Sequence, residues 1–102
     1  MFKAIICLKR NDEWAIDDFR HWYLVDHQPL VHQLPGLQRA NFNIVEGDGN
    51  ADFDTVSELW FEDEQALLDA YATEAGQAVA QDSLSKVKLR VRLPVQEHPI
   101  FP

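Results

Sequence analysis

Residues 54–67 read DTVSELWFEDEQAL, and the order of residue types in them decides the fold. The first nine, 54–62, suit an extended strand with Leu59 and Phe61 on one face and Val56, Glu58 and Trp60 on the other. Asp63 then stands where a helix N-cap accepts a bond from a free backbone amide. Beyond it Leu67, Ala70, Tyr71, Ala75, Ala78 and Val79 recur on one helical face. A strand therefore runs straight into an amphipathic helix, and both faces of that strand are partly apolar.

Working outward, FKAIICLK at 2–9 is apolar, β-branched and bounded by polar RNDE, which predicts a first strand. A helix follows. Asp12 or Asp17 is placed to cap it, acidic Asp17 and Asp18 suit its first turn, and Phe19, Trp22, Tyr23, Leu30 and Leu34 fall near helical spacing. Pro29 has no N–H for the carbonyl of Val25, so this helix should kink or restart there before Pro35-Gly36 ends it. LQRANFNIVEG at 37–47 predicts a second strand, and GDGN a loop. KVKLRVRLPV at 86–95 alternates strictly and predicts a fourth strand, ended by Pro94. A tail over 94–102 carries Ile100 and Phe101, apolar residues placed to dock on a neighbour.

The order β-α-β-β-α-β predicts an α+β, ferredoxin-like fold in a single domain over 1–102. Its four-stranded antiparallel sheet would have both helices on one face. The other face, which carries Val56 and Trp60, would be left bare. Two copies packing sheet to sheet would cover it and enclose a cavity, so a homodimer is expected.

At 102 residues, 46 % of them hydrophobic, the chain suffices for one core and no more. The net charge of −8 repels phosphate backbones and anionic lipid, so neither nucleic acid nor a membrane surface is an expected partner. Lys86, Lys88, Arg90 and Arg92 are the nearest approach to a basic patch, and their spacing fits one face of a strand. Cys7 is the only cysteine, which excludes an internal disulfide and a thiolate cage, and its apolar setting predicts a buried, inert thiol. No run approaches the roughly 18 apolar residues of a membrane span. MFKAII reads as strand rather than leader, and a soluble cytoplasmic protein is expected.

Three of the four histidines crowd into HWYLVDHQPLVHQL, 21–34. His27 lies just before the Pro29 break, where a redirected side chain suits a general acid or base; otherwise it is a core histidine bonded to a backbone carbonyl. His32 lies about 140° round an ideal helix from His27 and points elsewhere. His21 and His98 read as surface residues. No HxxxH or HExxH spacing occurs, so neither a metal nor another cofactor is expected. Trp60 is placed to line the inter-sheet cavity or to pack the dimer. Glu58 beside it needs a partner, for which Arg90 or Arg92 is available. Asn41 and Asn43 share a face with Arg39 and could hold a carbonyl or enolate oxygen, or simply be hydrogen-bonded strand residues.

CLKR and DDF, Trp22 with Asp26-His27-Gln28-Pro29-Leu30, LPGL at 34–37, Asn43, and SELWFEDEQAL at 57–67 span nearly the whole chain. In this order and spacing they resemble the EthD-like family of the dimeric α+β barrel superfamily, related to small methylmuconolactone isomerase-type proteins. The resemblance implies a homodimer whose sheets form a barrel with a cavity under each protomer. It also implies mixed roles. EthD-named members accompany ether-degrading oxygenases, similar small members isomerise methyl-substituted muconolactones, and wider relatives cyclise polyketides or oxidise polycyclic aromatics without metal or flavin. In the lactone-isomerase relatives a histidine ahead of the Pro-Gly-Leu turn works in the pocket, and His27 is the matching position. Many members carry an aromatic where this chain has Ala40, which implies a wider or differently lined pocket.

Two functions are expected. One is cofactor-independent isomerisation or cyclisation of a small apolar oxygenated ligand such as a lactone, enol or aromatic ketone. In it His27 would move a proton, Asn41 or Asn43 would orient an oxygen, Trp22, Tyr23 and Trp60 would exclude water, and Glu58 would share the cavity; a metal-free oxygenase is a variant of it. The other is a non-catalytic dimeric helper that binds a metabolite in a degradation pathway. Haem binding is a third and would colour the protein.

Overall fold

A computed structural model of the chain describes residues 1–101; Pro102, the last residue of the expected tail, lies outside them. The order is β1 (Phe2–Arg10), α1 (Ile16–His21), a π-helical segment (Trp22–His27) and α2 (Gln28–His32). Then come β2 (Arg39–Ile44), β3 (Thr55–Trp60), α3 (Glu64–Ala72), α4 (Glu74–Leu84) and β4 (Val87–Gln96). The four strands form one antiparallel sheet in the order β2-β3-β1-β4. This is the expected ferredoxin-like α+β fold.

Alternation along β1 sends Ala4, Ile6 and Leu8 to the helical side. There, with Leu59 and Phe61, they pack against Phe19, Trp22, Tyr23, Val31 and Leu34 from the first helical region and Leu67, Ala70 and Val79 from the second. Burying each large side chain contributes roughly 1.5–3 kcal/mol. The register Lys3↔Val95, Ile5↔Leu93, Cys7↔Val91 and Lys9↔Leu89 gives the opposite face a stripe of apolar residues. Val56, opposite Cys7, extends it onto β3. Among the described residues no helix covers this face; Leu89 and Leu93 are 48 % and 46 % exposed. Cys7 is half-buried there rather than fully buried, and desolvation pushes its thiol pKa up.

Several elements differ from expectation for identifiable reasons. The first helix starts at Ile16 behind Ala15, which makes no side-chain cap, so neither Asp12 nor Asp17 caps it; Asp12 binds Lys88 instead. The break expected at Pro29 is absorbed before it by the π turn, whose wider i→i+5 bonding carries the chain past a residue that cannot donate to Val25. The expected second helix is two, since Thr73 is extended. Its hydroxyl donates to the Ala70 carbonyl at 2.6 Å and accepts from the Gly76 amide at 3.1 Å, ending α3 and capping α4. β4 runs through Pro94 to Gln96, because an edge strand needs no N–H on its outer side. β2 and β3 are shorter than expected. The tail proper begins at Glu97, and Ile100 and Phe101, 87 % and 81 % exposed, dock on nothing within the chain. Among the described residues no helix is long and apolar enough to cross a membrane.

Candidate functional site

Residues five apart on an α-helix diverge by about 140°. In the π turn they come into line, and the Trp22 and His27 rings meet at a 32° tilt with centroids 4.7 Å apart. His27 is thereby carried into the core, 4 % exposed, instead of onto the helix flank. Its Nδ1 lies 2.9 Å from Asp82 Oδ2 on α4, an oxygen that also accepts from Trp22 Nε1 at 3.2 Å. A carboxylate only accepts, so Nδ1 carries the proton and Nε2 keeps its lone pair, directed at Ser83 Oγ 3.2 Å away. Burial lowers the imidazole pKa, with the Asp82 carboxylate pulling the other way and the Arg90 and Lys86 charges adding to the lowering. At neutral pH the ring is therefore neutral and basic at Nε2.

Nε2 faces a cavity of about 10 Å³ bounded by Ile6, Leu8, Val31, Ser57, Leu59, Tyr71, Val79, Ser83 and Arg90. That volume suits one water molecule. Among the described residues, the Tyr71 hydroxyl and Arg90 Nε are buried without a protein hydrogen-bond partner. The guanidinium carbons of Arg90 and Arg92 lie 5.8 and 5.2 Å from the centre of the Tyr71 ring. Burial pushes the Tyr71 phenol up, and the two arginines partly offset this.

On the other side of Val31 a groove of about 410 Å³ runs between α2 and β2, lined by Gln28, His32, Leu37, Gln38, Arg39, Ala40 and Phe42. It has the dimensions of a small-molecule site. Phe42 stacks on Tyr23 at 4.3 Å and lies 6.1 Å from the His27 ring, so Val31, which lines both spaces, and Phe42 stand between groove and imidazole. A larger groove, about 680 Å³, lies beside Lys9, Arg10 and Lys88. Its cations are already engaged: Arg10 holds Asp54 at 2.7 Å, Lys9 holds Asp54 at 3.4 Å and Lys88 holds Asp12 at 2.6 Å.

The residues picked from sequence fall into two groups on opposite faces of the sheet. Trp22, Tyr23 and His27 come together on the helical side. Tyr23 is fully buried, its hydroxyl 2.7 Å from Ser57 Oγ and its phenol pKa driven far up by burial, so it supports His27 rather than lining the cavity. Asn41, Asn43, Glu58 and Trp60 lie on the bare face, where Arg39↔Trp60, Asn41↔Glu58 and Asn43↔Val56 are in register. Within one protomer they do not meet a molecule held by His27.

The polar groups of that second set satisfy one another. Glu58 pairs with Lys3 at 2.9 Å and accepts from Asn43 Nδ2 at 3.1 Å, and the lysine holds its carboxyl below the usual range. This corrects the expected Arg90 or Arg92 partner: those side chains sit opposite Leu8 and Ile6 in register, on the helical face. Trp60, 3 % exposed, lies between Lys3 and Arg39 at 5.0 and 4.5 Å and donates to Glu97 at 3.1 Å, so it does not line a cavity within the protomer. His21, His32 and His98 are exposed. Sequence reasoning missed Asp82, Ser83, Tyr71 and Arg90 as site residues. A signal existed: Asp82 and Ser83 lie three and four residues beyond Val79, polar groups on the continuation of an apolar stripe.

A family model described as the EthD domain matches residues 11–85. No curated protein matches the sequence. Among solved structures, an ethyl tert-butyl ether D (EthD) family protein from Bacillus halodurans is 26% identical with TM-score 0.82, covering 96% of this chain and 100% of that one. A dimeric ferredoxin-like protein of unknown function from Thermobifida fusca is 15% identical, TM-score 0.74, over 92% of this chain and 88% of that one. SnoaB, a cofactor-independent oxygenase from Streptomyces nogalater, is 13% identical, TM-score 0.74, over 99% and 96%. The last two similarities speak for the fold alone.

Proposed function

We propose a function from one premise: the chain belongs to the EthD domain family. The protein moves a proton on a small, largely apolar oxygenated compound such as a lactone, enol or aromatic ketone, and so isomerises or cyclises it without a cofactor. The observation that carries this reading is the line Asp82–His27–Ser83. A buried imidazole is fixed by a carboxylate at Nδ1 and presents an unprotonated Nε2 to a cavity beside a ligand-sized groove. A histidine so held is suited to take a proton from an acidic C–H and return it elsewhere. The π turn that delivers it fits, since such insertions recur at functional sites. The name of SnoaB supports cofactor-free chemistry on this fold.

The working unit is a homodimer joined through the open sheet face, where Ile5, Cys7, Val56, Leu89, Val91, Leu93 and Val95 form a continuous apolar stripe. The dimeric relative from Thermobifida fusca supports this assembly. A second reading, a non-catalytic binding protein, has one specific support. The cavity beside Nε2 is only water-sized, so a ligand held in the groove would not reach His27 unless Val31 and Phe42 gave way.

The test is hydrogen–deuterium exchange at the α-carbon of simple lactones and aromatic ketones in heavy water, followed by NMR. Wild type should accelerate exchange and His27→Gln should not, with both unfolding at similar temperatures. Binding without acceleration in either protein would favour the non-catalytic reading.

A further inference from the structure

Arg90 is a half-buried charge at the His27 cavity with no carboxylate partner among the described residues. The chain carries 17 acidic residues against 9 basic ones, so a half-buried guanidinium would ordinarily find a carboxylate. Lys3, Lys9, Arg10, Lys86 and Lys88 do, whereas among the described residues Arg20, Arg39, Arg90 and Arg92 do not. Among the described residues Arg90 forms no ion pair, and its Nε–H is buried without a partner. The Tyr71 hydroxyl, close enough to the Arg90 guanidinium for that charge to hold its pKa partly down, likewise has no partner at hydrogen-bond geometry and lines the same cavity. Buried donors are normally satisfied, and two unsatisfied ones converging on one cavity point to a group that completes them. Opposite them stands His27 Nε2, and the nearest carboxylate, Asp82, is committed to the Nδ1 side of that ring.

We propose that Arg90 and Tyr71 form an oxyanion site, which, once Val31 and Phe42 give way to a ligand from the groove, receives the enolate or phenolate oxygen of the substrate while His27 Nε2 faces the carbon that loses or gains the proton. This deepens the proton-transfer reading above and rests on it. In the forward step the substrate C–H bond breaks, its electron pair forms a C=C bond, and the carbonyl π pair moves onto oxygen. The proton rests on Nε2. Reprotonation at a different carbon restores a carbonyl compound and completes an isomerisation with no net oxidation or reduction. The arginine and the phenol hydroxyl act where negative charge develops, in a site from which bulk water is excluded, and there such donors are most effective. The substrate class is thereby narrowed to compounds whose ionised form is an oxygen anion conjugated with the reacting carbon: enolisable ketones, unsaturated lactones and phenols.

The probe is 4-nitrophenol, whose phenolate absorbs visibly, titrated into the full chain near the pH at which it ionises, with nitrobenzene as the uncharged control. Wild type should bind the phenolate in preference to the phenol, lowering the apparent pKa of the bound probe, and should bind nitrobenzene more weakly. Arg90→Gln should weaken phenolate binding about tenfold or more, as loss of a charge-assisted bond implies. Tyr71→Phe, which keeps the ring on which both arginines lie, should weaken it severalfold. Thermal unfolding of each variant shows whether it has folded; should Arg90→Gln not fold, Tyr71→Phe carries the test. The proposal is overturned if wild type binds no phenolate, if nitrobenzene binds as tightly, or if the folded variants bind phenolate like wild type. His27→Gln separates the two readings. Arg90-dependent phenolate binding without His27-dependent deuterium exchange sinks the enzyme reading and leaves the anion site standing. Exchange that is indifferent to Arg90 and Tyr71 sinks only the anion site.

Discussion

His27 Nδ1 and Asp82 Oδ2, 55 residues apart in sequence, lie 2.9 Å apart and tie the π turn to the last turns of α4. The same carboxylate oxygen receives Trp22 Nε1 at 3.2 Å, so one acceptor satisfies two ring donors. This separates its charge from its hydrogen bonds. Asp82→Asn can keep a carbonyl oxygen at that position and both bonds, losing only the charge. It should cost about 1–2 kcal/mol, since a bond to a neutral amide oxygen is worth roughly half of one to a carboxylate but leaves neither donor unpaired. Proton transfer should nonetheless fall about tenfold or more, because the imidazolium formed on the way loses its counter-charge. Asp82→Ala leaves two buried donors unpaired and should cost about 1–3 kcal/mol for each. Urea unfolding beside deuterium exchange measures both; equal stability losses in the two variants would show that charge, not bonding, holds the pair.

The lowered His27 pKa gives stability a definite pH dependence. The unfolded chain takes up a proton near the ordinary value of 6.5, while the folded ring resists it to lower pH. Between those two values the unfolded state binds more protons, so stability falls as the solution is acidified. The His27 contribution is fully present above 6.5 and is lost progressively as pH drops through the folded value. His27→Gln should lose this dependence. Glu58 and Glu97, whose pKa values lie below the ordinary 4.5, lose their contributions only in still more acidic solution. Urea midpoints for wild type and His27→Gln that run parallel from neutral pH to mild acid would contradict the assignment.

Gly76 is required by space rather than by backbone angle. A Cβ there would overlap the Ala70 carbonyl oxygen and the Tyr71 backbone, where α4 begins directly against the end of α3. Gly76→Ala should therefore destabilise by about 1–3 kcal/mol or more, although alanine is the better helix former. Because Tyr71 closes the His27 cavity, probe binding should suffer with it. Exposed Gln77→Ala next door should change stability by no more than about 0.5 kcal/mol. Chemical unfolding of the two variants decides the point, and a stabilised Gly76→Ala would mean that the helices move apart freely.

The sheet was legible in the sequence because alternation at Leu59, Phe61, Val56 and Trp60 has only one period, and a strand that keeps it has only two faces. The helical half was less so. A 3.6-residue repeat misplaces the side chains of HWYLVDHQPLVHQL, because the inserted π residue changes which of them share a face. His27 stands out by the family resemblance together with its place before the proline, whereas its neighbours Asp82 and Ser83, distant in sequence, carry no such mark. Glu58 is misassigned to Arg90 or Arg92 from sequence for the opposite reason. Parity along β4 separates Arg90 and Arg92 from the bare face, but only the register with Ile6 and Leu8 says which parity faces which way. Thr73 looks like an ordinary polar helix position until its hydroxyl is seen to cap α4.

Ala40 lines the groove between α2 and β2, is exposed, and carries no hydrogen-bonding side chain. Ala40→Phe should fill part of the groove's roughly 410 Å³ and leave the core untouched. The expected result is an unchanged unfolding midpoint with about tenfold weaker binding of 4-nitrophenolate or a bulky lactone. Unaltered affinity would mean that ligands do not enter through this groove.

The bare sheet face sets the last expectation. Leu89, Val91, Leu93 and Val95 alternate outward on β4, and through its register with β1 they adjoin Ile5 and Cys7. An aspartate at Leu93 would bury a charge in a sheet-to-sheet interface, and a two-fold axis brings that change to the interface twice. In the monomer Leu93 is 46 % exposed, so the same substitution costs the isolated fold little. Leu93→Asp should consequently run as a monomer by light scattering at micromolar concentration, where wild type runs as a dimer, while keeping a wild-type circular dichroism spectrum. Removing two leucine side chains per dimer from burial forfeits about 3–6 kcal/mol, or roughly two to four decades in dissociation constant. If wild type is itself a monomer at those concentrations, the apolar stripe faces some other partner and the barrel does not form. If Leu93→Asp remains dimeric, two copies meet elsewhere, and Arg39, Asn41, Asn43 and Glu58 then have no second sheet above them.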